Sequence, residues 1–212
     1  MAINKCEEQL MVTNRGGMVS AALSLIIPLF FIANIVFAET ESASESYQQA
    51  IKDYDKEIEL NQKDAVAYYN RGVSYDELGN HQQAIKDFDK AIELNPEFAK
   101  AYNNRGLAYN DLGNQQKAIK DYNKAIELNP NLSEAYYNRG IAYGKLEKYQ
   151  QAIKDYNKAI ELNPKDAEAY YFRGHVYVIL GNKIKSIQDF KISARLGGKD
   201  AQKRLSDEGL SW

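Results

Sequence analysis

Asn-Pro pairs recur every 34 residues in this chain, at Asn95-Pro96, Asn129-Pro130 and Asn163-Pro164, and no other feature limits its fold as tightly. Copies set at 65–98, 99–132, 133–166 and 167–198 align Tyr68, Tyr102, Tyr136 and Tyr170. The same register aligns Gly72, Gly106, Gly140 and Gly174, and then Tyr75, Tyr109, Tyr143 and Tyr177. The second half of each copy is as regular. Ala84, Ala118 and Ala152 precede Phe88, Tyr122, Tyr156 and Phe190, and Ala91, Ala125 and Ala159 follow. A unit this short cannot bury an apolar face alone, so its stability must come from stacking on its neighbours.

Within a copy the pattern predicts two helices. Ile85, Phe88 and Ile92 fall at helical spacing, and Tyr68, Gly72 and Tyr75 share one face of the preceding segment. Leu78-Gly79-Asn80 between them reads as a helix stop and turn, with glycine taking the left-handed conformation. Gly72 and Ala84 are small so that the two helices can approach closely, with Tyr68, Tyr75 and Phe88 filling the space beside them.

At these positions the chain resembles the tetratricopeptide repeat family, whose unit carries an aromatic, a small residue, a Tyr, an Ala, an aromatic, an Ala and a Pro at the same offsets. The resemblance implies an all-α fold, a right-handed α-solenoid of antiparallel helix pairs. Residues 47–64 match only the second helix of a repeat, and residues 199–212 read as a capping helix and tail. In that helix Ala201, Arg204 and Leu205 share a face and Asp200 is the expected cap.

Departures from the family pattern carry expectations. Arg71, Arg105, Arg139 and Arg173 stand where an apolar residue is usual, immediately before the glycine. Asp87, Asp121, Asp155 and Asp189 lie as far after the hairpin turn as these arginines lie before it, so each hairpin should form an Arg–Asp bridge. Asp53, in the half repeat, has no arginine of its own and is expected to pair with Arg71. The turn Leu146-Glu147-Lys148 lacks the glycine of the other copies and should be strained or differently shaped.

Residues 1–38 read as a leader. Met18 to Ala38 is almost wholly apolar, Lys5 and Arg15 precede it, and small residues stand one and three before the Ala38/Glu39 bond. Two readings stand: an export signal cleaved after Ala38, giving a periplasmic or secreted protein, or an uncleaved membrane anchor with the repeats on the outer side. Residues 39–46 read as a linker.

Catalytic material is scarce. The chain has one cysteine, Cys6, and two histidines, His81 and His175, scattered and without metal-ligand, nucleophile or phosphate-loop spacing. No enzyme activity, cofactor or metal is expected, and a formal net charge of −2 argues against nucleic acid as a partner. His81 follows a turn and is read as exposed, and His175 as a satisfied edge residue.

Function is expected where copies differ, because residues identical in every copy hold the stack. In the family the first helices line a concave groove. That places Tyr69, Asn70, Val73, Asp76 and Glu77 on it, then Asn103, Asn104, Leu107, Asn110 and Asp111. Tyr137, Asn138, Ile141 and Lys145 follow, and after them Tyr171, Phe172, His175, Val178 and Ile179. Asn70, Asn104 and Asn138 sit where the family often uses an amide to hold a peptide backbone, although an amide repeated three times also suits a scaffold role. Sixteen tyrosines supply amphipathic anchors. Phe172, Val178 and Ile179 are read as the seat of the C-terminal helix and Trp212, or else as a hydrophobic pocket. Members that clamp C-terminal carboxylates do so with Lys and Arg, whereas Tyr69, Val73, Asn104, Glu134 and Asn138 stand there in this chain. The expectation is therefore a scaffold that binds a basic or neutral protein segment within an envelope assembly, or else a tethered structural subunit, with self-association open to either.

Overall fold

The protein's computed structural model describes residues 42–212, so the leader read at 1–38 lies outside the described residues. Residues 42–60 are helical (α1), which includes part of the stretch read as linker. Four hairpins follow. They are α2 (Ala65–Glu77) with α3 (His81–Leu94), α4 (Ala99–Asp111) with α5 (Gln115–Leu128), α6 (Ser133–Lys145) with α7 (Tyr149–Leu162), and α8 (Ala167–Ile179) with α9 (Lys183–Arg195). A last helix, α10 (Lys199–Asp207), ends the stack. Among the described residues there is no strand.

The core is built from the residues that recur. Phe88, Tyr122, Tyr156 and Phe190 are almost wholly buried, each beside the glycine of its partner helix. A Cβ on Gly106 would lie 2.7 Å from the ring of Tyr122, so the glycine is the condition for the ring's seat. Stacking between copies uses the same rings: Tyr122 also packs on Ala142 of the next hairpin, and Tyr156 on Val176. Each first helix (α2, α4, α6, α8) touches its own partner, and α2 meets α4, α4 meets α6 and α6 meets α8, while consecutive second helices make little contact. The stack therefore curves toward the first helices, and their row is the concave side of the repeat unit.

The bridges form in every hairpin, and each arginine also reaches the copy before it. Arg71 donates from Nε and Nη2 to Asp87 at 2.8 and 2.7 Å, and from Nη1 to Asp55 at 2.6 Å. Arg105 joins Asp121 and Asp89 in the same way. In the later copies the second acceptor is an amide, Asn123 for Arg139 and Asn157 for Arg173. Each guanidinium also lies over a tyrosine ring, 5.4 Å away for Arg71 over Tyr68. The expected Asp53–Arg71 pair is not made, because Asp53 holds Gln49 and Lys56 instead. Two residues further along a helix is a rotation of about 200°. Asp53, the counterpart of Asp87, therefore faces the side where its own first helix would pack, while Asp55 faces the next copy.

The turn at Leu146-Glu147-Lys148 keeps the shape of the others and carries strain instead. Glu147 adopts φ 58°, beside 74°, 76° and 73° at Gly79, Gly113 and Gly181. Lys148 N–H donates to the Tyr143 carbonyl at 2.9 Å, as Asn80 does to Tyr75 at 2.8 Å. Asn80, Asn114 and Asn182 each cap the following helix through their side chains, and Lys148 does not. Restoring Gly-Asn here (Glu147→Gly with Lys148→Asn) should stabilise the protein by about 1–2 kcal/mol through relief of left-handed strain and a new cap. A higher urea midpoint than that of the parent checks this, and an unchanged or lower midpoint refutes it.

Candidate functional site: the concave face

The concave face is floored by rings that continue the core outward. Tyr69 packs on Phe88 and Phe98 with centroids at 5.9 and 4.8 Å, and Tyr137 on Tyr156 and Phe172 at 6.2 and 5.9 Å. Tyr171 meets Phe190 at 5.7 Å and His175 at 4.5 Å. These rings are half-buried, and burial raises the phenol of Tyr69 above its ordinary value, partly opposed by its bond from Asn104. His175 sits in this aromatic cluster, and burial followed by the charge of Arg204 lowers its pKa.

The second copy differs from its neighbours at the tyrosine position. Asn103 replaces the ring, and three amides form a relay down the face. Asn138 donates to Asn103, Asn103 to Asn104 and Asn104 to the Tyr69 hydroxyl, each at 3.1 Å. Asn103 is buried, so it supports the floor from below and does not line the groove as the sequence pattern placed it. Asn110 is buried as well. Asn70, Asn104, Asn138, Val73, Leu107 and Ile141 are partly exposed along the same row.

The charge of this face is uneven. Asp76, Glu77 and Asp111 stand at the ends of α2 and α4, and Glu134 and Glu168 at the starts of α6 and α8, with Lys145 as a basic residue at the end of α6. Asp76 is raised by burial, while its bond with His81 works the other way. The His81 ring nitrogen Nδ1 lies 2.7 Å from the Asp76 carboxylate across the Gly79 turn, so His81 is not the free surface residue the sequence suggested. Only spatial proximity across the turn could reveal this pair, since the two residues stand on different helices.

At the last hairpin, Phe172 faces Tyr137 and packs, partly buried, against the core. The seat of α10 is instead Tyr171, Phe190 and Ala194, on which Ala201 and Leu205 are fully buried. Val178 and Ile179 remain 40% and 59% exposed, as does Trp212 at 45%, so the expected cover over these residues is not found. The reason is the entry of α10 at Gly198, which caps it without a side chain and packs so close to Ser193 that a Cβ would collide. Asp200 therefore sits inside the first turn and is not the cap. Between the last hairpin and α10 is a hollow of about 640 Å³ lined by Val178, Phe190, Arg204 and Leu210, among others. Among the described residues no group of acidic, His or Cys side chains is arranged to hold a metal ion, and no helix is long and apolar enough to cross a membrane.

Family models described as tetratricopeptide repeat match residues 65–98, 99–132 and 133–166, and a further one with that description matches 155–188. The fold is similar to that of a solved MamA structure, with 28% identity, a TM-score of 0.65, and 74% of this chain and 91% of that chain covered. It is also similar to MamA 41-end from Desulfovibrio magneticus RS-1, at 22% identity and TM-score 0.65 over 72% of this chain and 86% of that one. A third structure is YrrB, titled a TPR protein with an unusual peptide-binding site, at 24% identity and TM-score 0.62 over 82% of this chain and 90% of that one. Comparison with curated proteins gives no match.

Proposed function

The chain belongs to the tetratricopeptide repeat family, a fold of protein–protein interaction, and from that premise we propose that it is an exported scaffold whose concave face holds a segment of another protein. The observation that carries this reading is the concave face itself. A floor of aromatic rings with partly exposed edges lies beside amides and a row of carboxylates, the mixture of anchors and adaptable polar groups that peptide grooves use. The acidic character at Asp76, Glu77 and Asp111 supports a basic segment as ligand. The leader read at 1–38 supports delivery across a membrane, and an envelope assembly is the setting that suits such a scaffold. The fold and the scarcity of catalytic side chains support a role without chemistry of its own.

A second reading rests on the exposed Ile179 and Ile184, 59% and 74% accessible at the last hairpin, which suit assembly through the end of the stack. One experiment separates the two. The native protein is expected to have a mass beginning at Glu39 in a soluble fraction, and its captured partners are expected to be lost when Asn138 is replaced by Phe. That substitution removes an amide from the groove and the donor to buried Asn103, so the variant is compared with the parent by its circular-dichroism melting curve as well; Phe172 in the same place in the next copy shows that the helix accepts a ring there. A full-length mass in the membrane fraction, with partners kept by Asn138→Phe, would support the tethered subunit instead.

A further inference from the structure

Helix α1 is a second helix without a first. In the 34-residue register its Ala50, Asp53 and Tyr54 stand where Ala84, Asp87 and Phe88 stand in the next copy. In the four hairpins a first helix seals that face, and the aspartates and rings are buried there, as are Ala84, Ala118 and Ala152. On α1 the face is open. Ala50 and Tyr54 are partly exposed, and the Asp53 side chain is 55% exposed, held by Gln49 and Lys56 of its own helix. Glu45 and Ser46, the counterparts of Gly79 and Asn80, are helical, so the chain makes no hairpin turn before this helix at the usual place.

The hairpins show what such a face accepts. In each, an arginine donates from Nε and Nη2 to the aspartate at 2.7–2.8 Å. The glycine after it lies against the aromatic ring, where a Cβ would come within 2.7–2.8 Å of a ring carbon. We infer that the open face of α1 docks one helix of a partner protein that carries an Arg-Gly pair, with the guanidinium on Asp53 and the glycine over the Tyr54 ring, so that two chains complete one hairpin. A second copy is a poor source of that helix. Its Arg71, Arg105, Arg139 and Arg173 are engaged inside their own hairpins. Helix α10, of the first type by the match of Ala201 to Ala169, has Leu205-Ser206 at the Arg-Gly positions, and Leu205 is fully buried. One other Arg-Gly pair, Arg15-Gly16, falls in the leader that an exported chain loses, outside the described residues.

The probe for this face is a fluorescent peptide of the chain's own residues 64–78, held helical by a side-chain link between positions 66 and 70, on the side away from Arg71 and Gly72. It is titrated with the full chain and followed by anisotropy. Saturable binding is expected, about tenfold weaker for Asp53→Ala in the protein and for Arg71→Ala in the peptide, and lost when the peptide carries Gly72→Val. Asp53 is exposed, so Asp53→Ala should leave the circular-dichroism melting curve in place, and Asn138→Phe in the groove should leave peptide binding unchanged. No binding, or binding that ignores Asp53→Ala or the peptide's Gly72→Val, would overturn the inference and leave the groove reading standing. Binding that appears only after Arg15→Ala would make the leader the occupant of this face and overturn it as well.

Discussion

Replacing Gly106 with valine is expected to lower stability by about 3 kcal/mol, at the upper end of the usual cost of overpacking a core. A Cβ there meets the Tyr122 ring at 2.7 Å and the Ala118 carbonyl oxygen at 3.2 Å. Tyr122 cannot retreat, because it is fully buried between its own hairpin and Ala142 of the next. The gain in helix propensity on leaving glycine, about 1 kcal/mol or less, is too small to offset this. Gly144 provides the internal contrast: it is also helical, but a Cβ on it would meet nothing within 4 Å. Gly144→Ala should therefore stabilise by about 0.5–1 kcal/mol. Urea midpoints of both variants check the pair, and a shift of the same sign in both would show that packing at the seam does not set the outcome.

The Arg–Asp ladder gives the second large effect, and it should differ between the two halves of the stack. Asp155→Ala takes from Arg139 its one carboxylate partner and leaves Asn123, a neutral acceptor. Asp121→Ala leaves Arg105 with Asp89. Both arginine side chains are mostly covered, 17% exposed for Arg105 and 18% for Arg139, so an unmatched guanidinium is costly at either place. The expected losses are about 3 kcal/mol for Asp155→Ala, the lower end of the range for deeply buried pairs, and roughly 1 kcal/mol less for Asp121→Ala, because some solvent reaches the guanidinium. Equal losses in urea denaturation would mean that the contact to the preceding copy contributes nothing.

Much of this was legible in the chain because repetition acts as an internal control. The positions of Gly72, Ala84 and Phe88 imply a close hairpin, and equal offsets from the turn imply the pairing of Arg71 with Asp87. What was hidden depended on the direction a side chain takes or on neighbours that share no pattern. Asp53 and Asp55 differ by two positions in sequence and by more than half a turn in space. Gly198 as the start of α10 depends on how closely the chain passes Ser193, which no periodicity reveals. The groove was placed by position, but its relay of Asn138, Asn103 and Asn104 arises from a lost ring at Asn103, and the effect of that loss on neighbouring copies is a matter of depth. The buried Asn110 Oδ1 and Tyr122 hydroxyl, which have no hydrogen-bond partner, likewise come from the two helices of one hairpin, where neither residue stands out in the sequence.

Partner binding on the concave face is checked by the dissociation constant of a captured partner or selected peptide for three proteins. These are the parent, Asn138→Phe in the groove and Ile184→Ser at the exposed end of the stack. Binding about tenfold weaker for Asn138→Phe, a difference of about 1.4 kcal/mol, is expected, with Ile184→Ser unchanged. Binding that survives Asn138→Phe and is lost in Ile184→Ser would contradict it and move the working surface to the end of the stack.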